Sequence, residues 1–142
     1  MANLYSQFTY DDALSLKDAG LVCTSATSEN GATILDLGDG LVDGFLVLDV
    51  IAVESGNSDE KFRIALEGST VAAMTSTSVT LAVKDFGALV APMDAALTAA
   101  GRYVVPFRNE NAGTLYRYVR YQITGTGTIA TGINFVAFIA KR

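Results

Sequence analysis

The side chains of this chain that could do chemistry are carboxylates: fifteen Asp and Glu, beside one cysteine and no histidine. Without histidine there is no Ser-His-Asp or Cys-His relay, and the commonest transition-metal ligand is missing. Cys23 would need another base, and nothing near it in sequence would lower its pKa. A lone thiol gives no disulfide framework and no zinc site. It reads as a small buried hydrophobe, with assembly in a reducing cytoplasm. Two carboxylates could serve a glycoside hydrolase by inventory alone. Asp36, Asp39 and Asp43 cluster in DLGDGLVDG, and Asn57, Asp59 and Glu60 in SGNSDE. Either set could hold a hard cation such as calcium. Neither has the spaced ligands and terminal Glu of an EF-hand loop, and Asp with Gly is also what tight turns demand. The glycine pairs 38/40 and 125/127 precede no Lys-Ser/Thr and no expected helix, so they are not phosphate loops. No catalytic, cofactor or metal residue is assigned, and the expectation is a protein that is not an enzyme.

The elements that would position such groups are strands. Residues 101–125 place two aromatic and β-branched runs around the polar cluster Asn109-Glu110-Asn111-Ala112-Gly113, the pattern of a hairpin with a longer loop. Leu115, Val119, Tyr121 and Ile123 fall on one face of the second arm, and Tyr116, Tyr118, Arg120 and Gln122 on the other. Arg117 lies on the apolar side and needs an edge or a partner. In the first arm Tyr103, Val105 and Phe107 alternate with Arg102, Val104, Pro106 and Arg108. Pro106 makes that arm an edge strand or a bulged one.

Elsewhere, 32–37 reads as a short strand, and 45–53 (FLVLDVIAV) as a central buried strand in which Asp49 needs a partner. Residues 61–67 alternate, with Phe62, Ile64 and Leu66 inward and one wet face. Residues 71–77 read as loop, 78–86 as a strand with Val79, Leu81 and Val83 on one face, and 133–139 as a final apolar strand. Residues 89–100 alone have helix-forming composition, with Pro92 suited to a first turn, though an ordered loop fits as well. The sum is an all-β antiparallel β-sandwich of about seven or eight strands with at most one short helix, of jelly-roll type.

The 142 residues make one domain, able to bury roughly 70% of the unfolded surface. Half are hydrophobic and 18% charged, an apolar excess that often ends in an interface. No run is long enough for a membrane span, and the start has no basic residue or long apolar stretch of a secretory signal. Residues 1–100 carry four basic and fourteen acidic groups, and residues 101–142 carry six basic against Glu110. Folding that mixes the two sets is expected; a bipolar surface for ordered contacts is the alternative. An acidic chain with so few basic groups is not expected to bind nucleic acid. Residues 1–31 have no steady period and divide from a single sandwich domain at 32–142. They read either as a partly ordered terminus or as an arm whose Tyr5, Phe8 and Tyr10 anchor in a neighbouring subunit.

Several short stretches also carry a resemblance. Asp12-Ala13-Leu14 leads to Ile34-Leu35-Asp36-Leu37-Gly38, then to Phe62-Arg63-Ile64-Ala65-Leu66 and Gly101-Arg102-Tyr103. Tyr116-Arg117-Tyr118-Val119-Arg120-Tyr121 follows, and a Gly/Thr turn at 125–132 enters the last apolar strand. This pattern resembles the small jelly-roll capsid cement (decoration) proteins of tailed bacteriophages, of the Bordetella-phage type. It covers nearly the whole chain and is most specific in the C-terminal third. The resemblance implies a structural virion protein without catalytic residues, assembled in the host bacterial cytoplasm. Such proteins bind the major capsid protein on the outside of the expanded capsid and tie neighbouring capsomers together against DNA pressure. Self-association as a dimer or trimer would absorb the apolar excess. A carbohydrate-binding β-sandwich on a virion or cell surface, with Tyr116 and Tyr118 as its platform, is the alternative.

Overall fold

Six strands of eight residues or more carry the fold in the computed structural model, which describes residues 10–75, 77–89 and 95–141. They are β5 (Asp43–Val53), β6 (Lys61–Ser69), β7 (Val79–Gly87), β8 (Gly101–Arg108), β11 (Tyr118–Thr126) and β12 (Ile133–Lys141). Six short strands complete the set: β1 (Ser15–Lys17), β2 (Leu21–Val22), β3 (Ser28–Asn30), β4 (Leu35–Asp36), β9 (Glu110–Asn111) and β10 (Thr114–Leu115). A single 3-10 turn, Asp12–Leu14, precedes them, capped by the Asp11 carboxylate accepting the Ala13 N–H.

The strands form two antiparallel sheets that face each other. Sheet A runs β1-β12-β5-β8, with β2 also on β12, and sheet B runs β3-β11-β6-β7, with β4 also on β11. The small hairpin β9–β10 stands apart. Each tandem pair, β1 with β2 and β3 with β4, fills one edge position. The twelve strands therefore occupy eight sheet positions plus the hairpin. Counted that way in chain order, sheet A reads 1-8-3-6 and sheet B reads 2-7-4-5. The expected antiparallel β-sandwich is what the chain forms.

Alternation explains the core. Leu46, Leu48 and Val50 of β5 and Phe135, Ala137 and Ile139 of β12 meet Phe62, Ile64 and Leu66 of β6 and Val119, Tyr121 and Ile123 of β11. Tyr121 packs edge-on against Phe135 at 5.7 Å. Pro106 lies in β8, at the rim of sheet A, where its missing N–H costs no inner ladder bond.

Four expectations change. The long runs around 109–113 are not arms of one hairpin. β8 pairs with β5 and β11 pairs with β6, in different sheets, and only β9–β10 turns back on itself at Ala112 and Gly113. The turn chemistry was right, but the tertiary pairing partners win beyond two residues. In β7 the pairing shifts between Leu66–Ala82 and Glu67–Thr80, so Leu81 is an extra residue. This bulge reverses the alternation: Ala82 and Phe86 are buried and Val83 is exposed. Residues 15–17, 21–22 and 28–30 are paired strands, so a boundary at residue 31 does not separate an arm from the sandwich. Finally, 95–100 contain no helix; Leu97 bridges Gly87, while Pro92 lies outside the described residues.

Candidate functional site

The carboxylates, the one chemical resource of the chain, are spent on arginines and on loop N–H groups. Asp49 accepts from Arg102 at 2.6 and 2.7 Å, Asp43 from Arg108 at 2.8 and 3.2 Å, and Asp85 from Arg63 at 2.8 and 3.1 Å. Asp36 accepts from Arg117 at 2.6 and 2.8 Å, and Asp39 takes the remaining arm of the same guanidinium. These forks are the geometry in which an arginine holds a carboxylate best. The Arg117 fork, helped by the Gly38 N–H, holds the Asp36 carboxyl down to about 2. Arg117 thus finds the partner its apolar-side position required, at the end of β11 beside β4.

Four C-terminal arginines, 102, 108, 117 and 120, pair with acidic groups of the first hundred residues. Folding mixes the two charge sets, and the bipolar surface is not formed among these residues.

The same pairings dissolve both candidate calcium clusters. Asp43 turns to Arg108 while Asp36 and Asp39 share Arg117. In SGNSDE, Glu60 accepts the Asn57 N–H at 2.6 Å, and Asp59 accepts both the N–H and hydroxyl of Thr128 at about 3 Å. Among the described residues no three acidic, Cys or His side chains converge to hold a metal ion. Cys23 is fully buried, donates weakly to the Ser25 and Thr27 carbonyls at 3.5 Å, and has its thiol pKa pushed up by burial. That is the opposite of an activated nucleophile.

What the fold does build is two unlike outer faces. On sheet B, Thr124, Arg63 and Asp85 stand in one cross-strand row and Arg120 stands opposite Glu67, giving a wet, salt-bridged surface. On sheet A the corresponding rows are dry. Phe138, Val47 and Val104 form one row across β12, β5 and β8, and Ala140, Phe45 and Pro106 form the next. Val136, Asp49 and Arg102 close the patch, with the Arg102 guanidinium 5.5 Å from the Phe138 ring centre. Val47, Phe138 and Ala140 form an apolar cluster separate from the core, with Phe45, Val104 and Val136 around it. The continuous apolar runs of 45–48 and 135–140 were the signal for this second face. One face alone would have needed only every other residue.

Of the expected interface residues, Tyr5 and Phe8 lie outside the described residues. Tyr10 packs edge-on against Phe138 of its own chain at 5.3 Å, and its hydroxyl donates to Asp12 at 3.1 Å. Tyr116 and Tyr118 are half-buried: Tyr116 crowds Gly68, and Tyr118 lies under the Arg117 guanidinium at 5.5 Å. They do not form an open aromatic platform. A cleft of about 530 Å³ opens at the β7–β8 side of the sandwich, bordered by Asp43, Leu81, Phe107, Arg108, Glu110 and Asn111. Its Asp43 and Arg108 already hold each other. No helix among the described residues is long and apolar enough to cross a membrane. Comparison with protein-family models and with curated proteins finds no match for this chain.

Proposed function

We propose that this protein is a structural, non-enzymatic virion component: a capsid cement protein that binds the outer surface of an expanded phage capsid. The observation that carries this reading is the strand order 1-8-3-6 against 2-7-4-5, two interlocked Greek keys over one core, which we take as a jelly roll. It agrees with the fold that the sequence resemblance implies. Support also comes from the side chains. The acidic groups are paired with arginines or loop amides instead of gathered around a cleft, as suits a body that carries load and turns nothing over. Its partners would be the major capsid protein and further copies of itself. Repeated moderate contacts would combine through effective concentration.

Co-sedimentation with expanded, undecorated phage capsids tests the proposal. Saturable binding at a fixed ratio to the shell protein, with rupture delayed on heating, is the expected result. Absence of binding to such capsids refutes it. A carbohydrate-binding role keeps one supporting observation, the cleft with Glu110 and Asn111 at its border, whose polar groups could meet sugar hydroxyls. A glycan array without hits removes that reading.

A further inference from the structure

The outer face of sheet A is too dry to be an ordinary solvent face, and its central side chains are sealed. Val47 is 0% and Phe138 1% exposed, although both project away from the core on strands whose alternate residues fill it. A contiguous patch of Phe45, Val47, Val104, Val136 and Phe138 left open to water would be an association hazard. The first described residue, Tyr10, already rests on Phe138 at the middle of this face.

We infer that the outer face of sheet A is the docking seat for residues 1–9 of the same chain, which lie across β12, β5 and β8 as a strap. Three further observations support the assignment. Continuity is the first: the segment enters at Tyr10, so its path begins on the patch. Length is the second: nine residues reach roughly 30 Å when extended, against about 10 Å across three strands. Chemistry is the third. MANLYSQFT contains Leu4, Tyr5 and Phe8 and no charged side chain, which matches a neutral face whose only ions, Asp49 and Arg102, hold each other. The strap supplies the second layer that the apolar face of β12 and β5 requires. This inference does not depend on the capsid role.

The chain has no tryptophan, so Phe8→Trp provides a single reporter. The expected result is blue-shifted emission, protected from acrylamide, at dilutions where sedimentation shows a monomer. Val104→Glu, on the rim strand β8, should red-shift that emission and expose the indole. Gln122→Glu on the opposite sheet should leave it unchanged. Emission typical of free indole in the monomer overturns the inference. A blue shift that appears only with dimers also overturns it and assigns the seat to a second copy. A second measurement covers the case in which Val104→Glu fails to fold. A chain lacking residues 1–9 should bind an apolar dye at least several-fold more than the full chain, and a synthetic peptide of residues 1–10 should displace the dye. Equal dye binding by both chains refutes the strap.

Discussion

Replacing Arg120 by Met should cost about 2 kcal/mol, and replacing Glu67 by Gln about the same, although each change removes only one member of one ion pair. Arg120 and Glu67 stand directly opposite each other on β11 and β6, with Nε to Oε2 at 3.2 Å. Their side chains are only 16% and 11% exposed. Fully buried pairs cost about 3–5 kcal/mol when one partner is removed, and exposed pairs at most about 1. The residual exposure places this pair between those limits. The cost arises chiefly from the partner left behind, a charge in a site that excludes most water. The double variant Arg120→Met with Glu67→Leu leaves no such charge and restores apolar packing, so it should lie within about 1 kcal/mol of the parent. The coupling between the two sites is then about 3 kcal/mol. Urea unfolding of the four proteins at neutral pH measures it. In a chain of 142 residues each single change should also lower Tm by about 8 °C. Additive single and double effects would refute the reasoning, since they would mean that both groups reach solvent independently.

Three other outcomes follow from the geometry. Gly127→Ala should lose at least about 2 kcal/mol in denaturant unfolding, because φ is +97° and a Cβ would come 2.1 Å from the Asp59 carbonyl oxygen. Gly40→Ala, with nothing within 4 Å, should change stability by less than about 0.5 kcal/mol. Asp36 has its carboxyl pKa lowered from 3.8 to about 2, so its stabilising contribution is complete above the unfolded value and fades as pH falls from near 4 through 2. Asp36→Asn should therefore flatten that part of the stability–pH curve, read from denaturation midpoints at several acid pH values. Cys23 should react with a thiol reagent only as fast as the protein opens, because it is fully buried and burial pushes its thiol pKa up. Labelling within seconds in the native state would contradict that.

Much of the sandwich was legible because burial on one side writes a period of two. β6 with Phe62, Ile64 and Leu66 inward is the plainest case. The reversal in β7 was not legible, since a one-residue bulge at Leu81 depends on a neighbour strand far away in sequence. The separate destinations of β8 and β11 were hidden for the same reason: a turn specifies only its nearest pairs. Asp49 and Arg117 were each recognisable as needing partners, but Arg102 and Asp36 could be named as those partners only once the sheets were in register. The dry outer face was written in the uninterrupted apolar runs, yet it read simply as depth. A strand in a two-layer fold can be apolar on both sides only if a third layer covers it.

The tandem edge strands have a consequence for the birth of the protein. β1 and β2 pair only with β12, as in Ser15 opposite Phe138, and β3 and β4 only with β11, as in Leu35 opposite Val119. Translation at roughly 5–20 residues per second separates these partners by about 5–20 s. For that interval the first two edge positions have no partner strand, and neither sheet can close. The nascent chain must therefore wait on the ribosome with β5 and its apolar neighbours half-covered, and the last strands to emerge complete both sheets together.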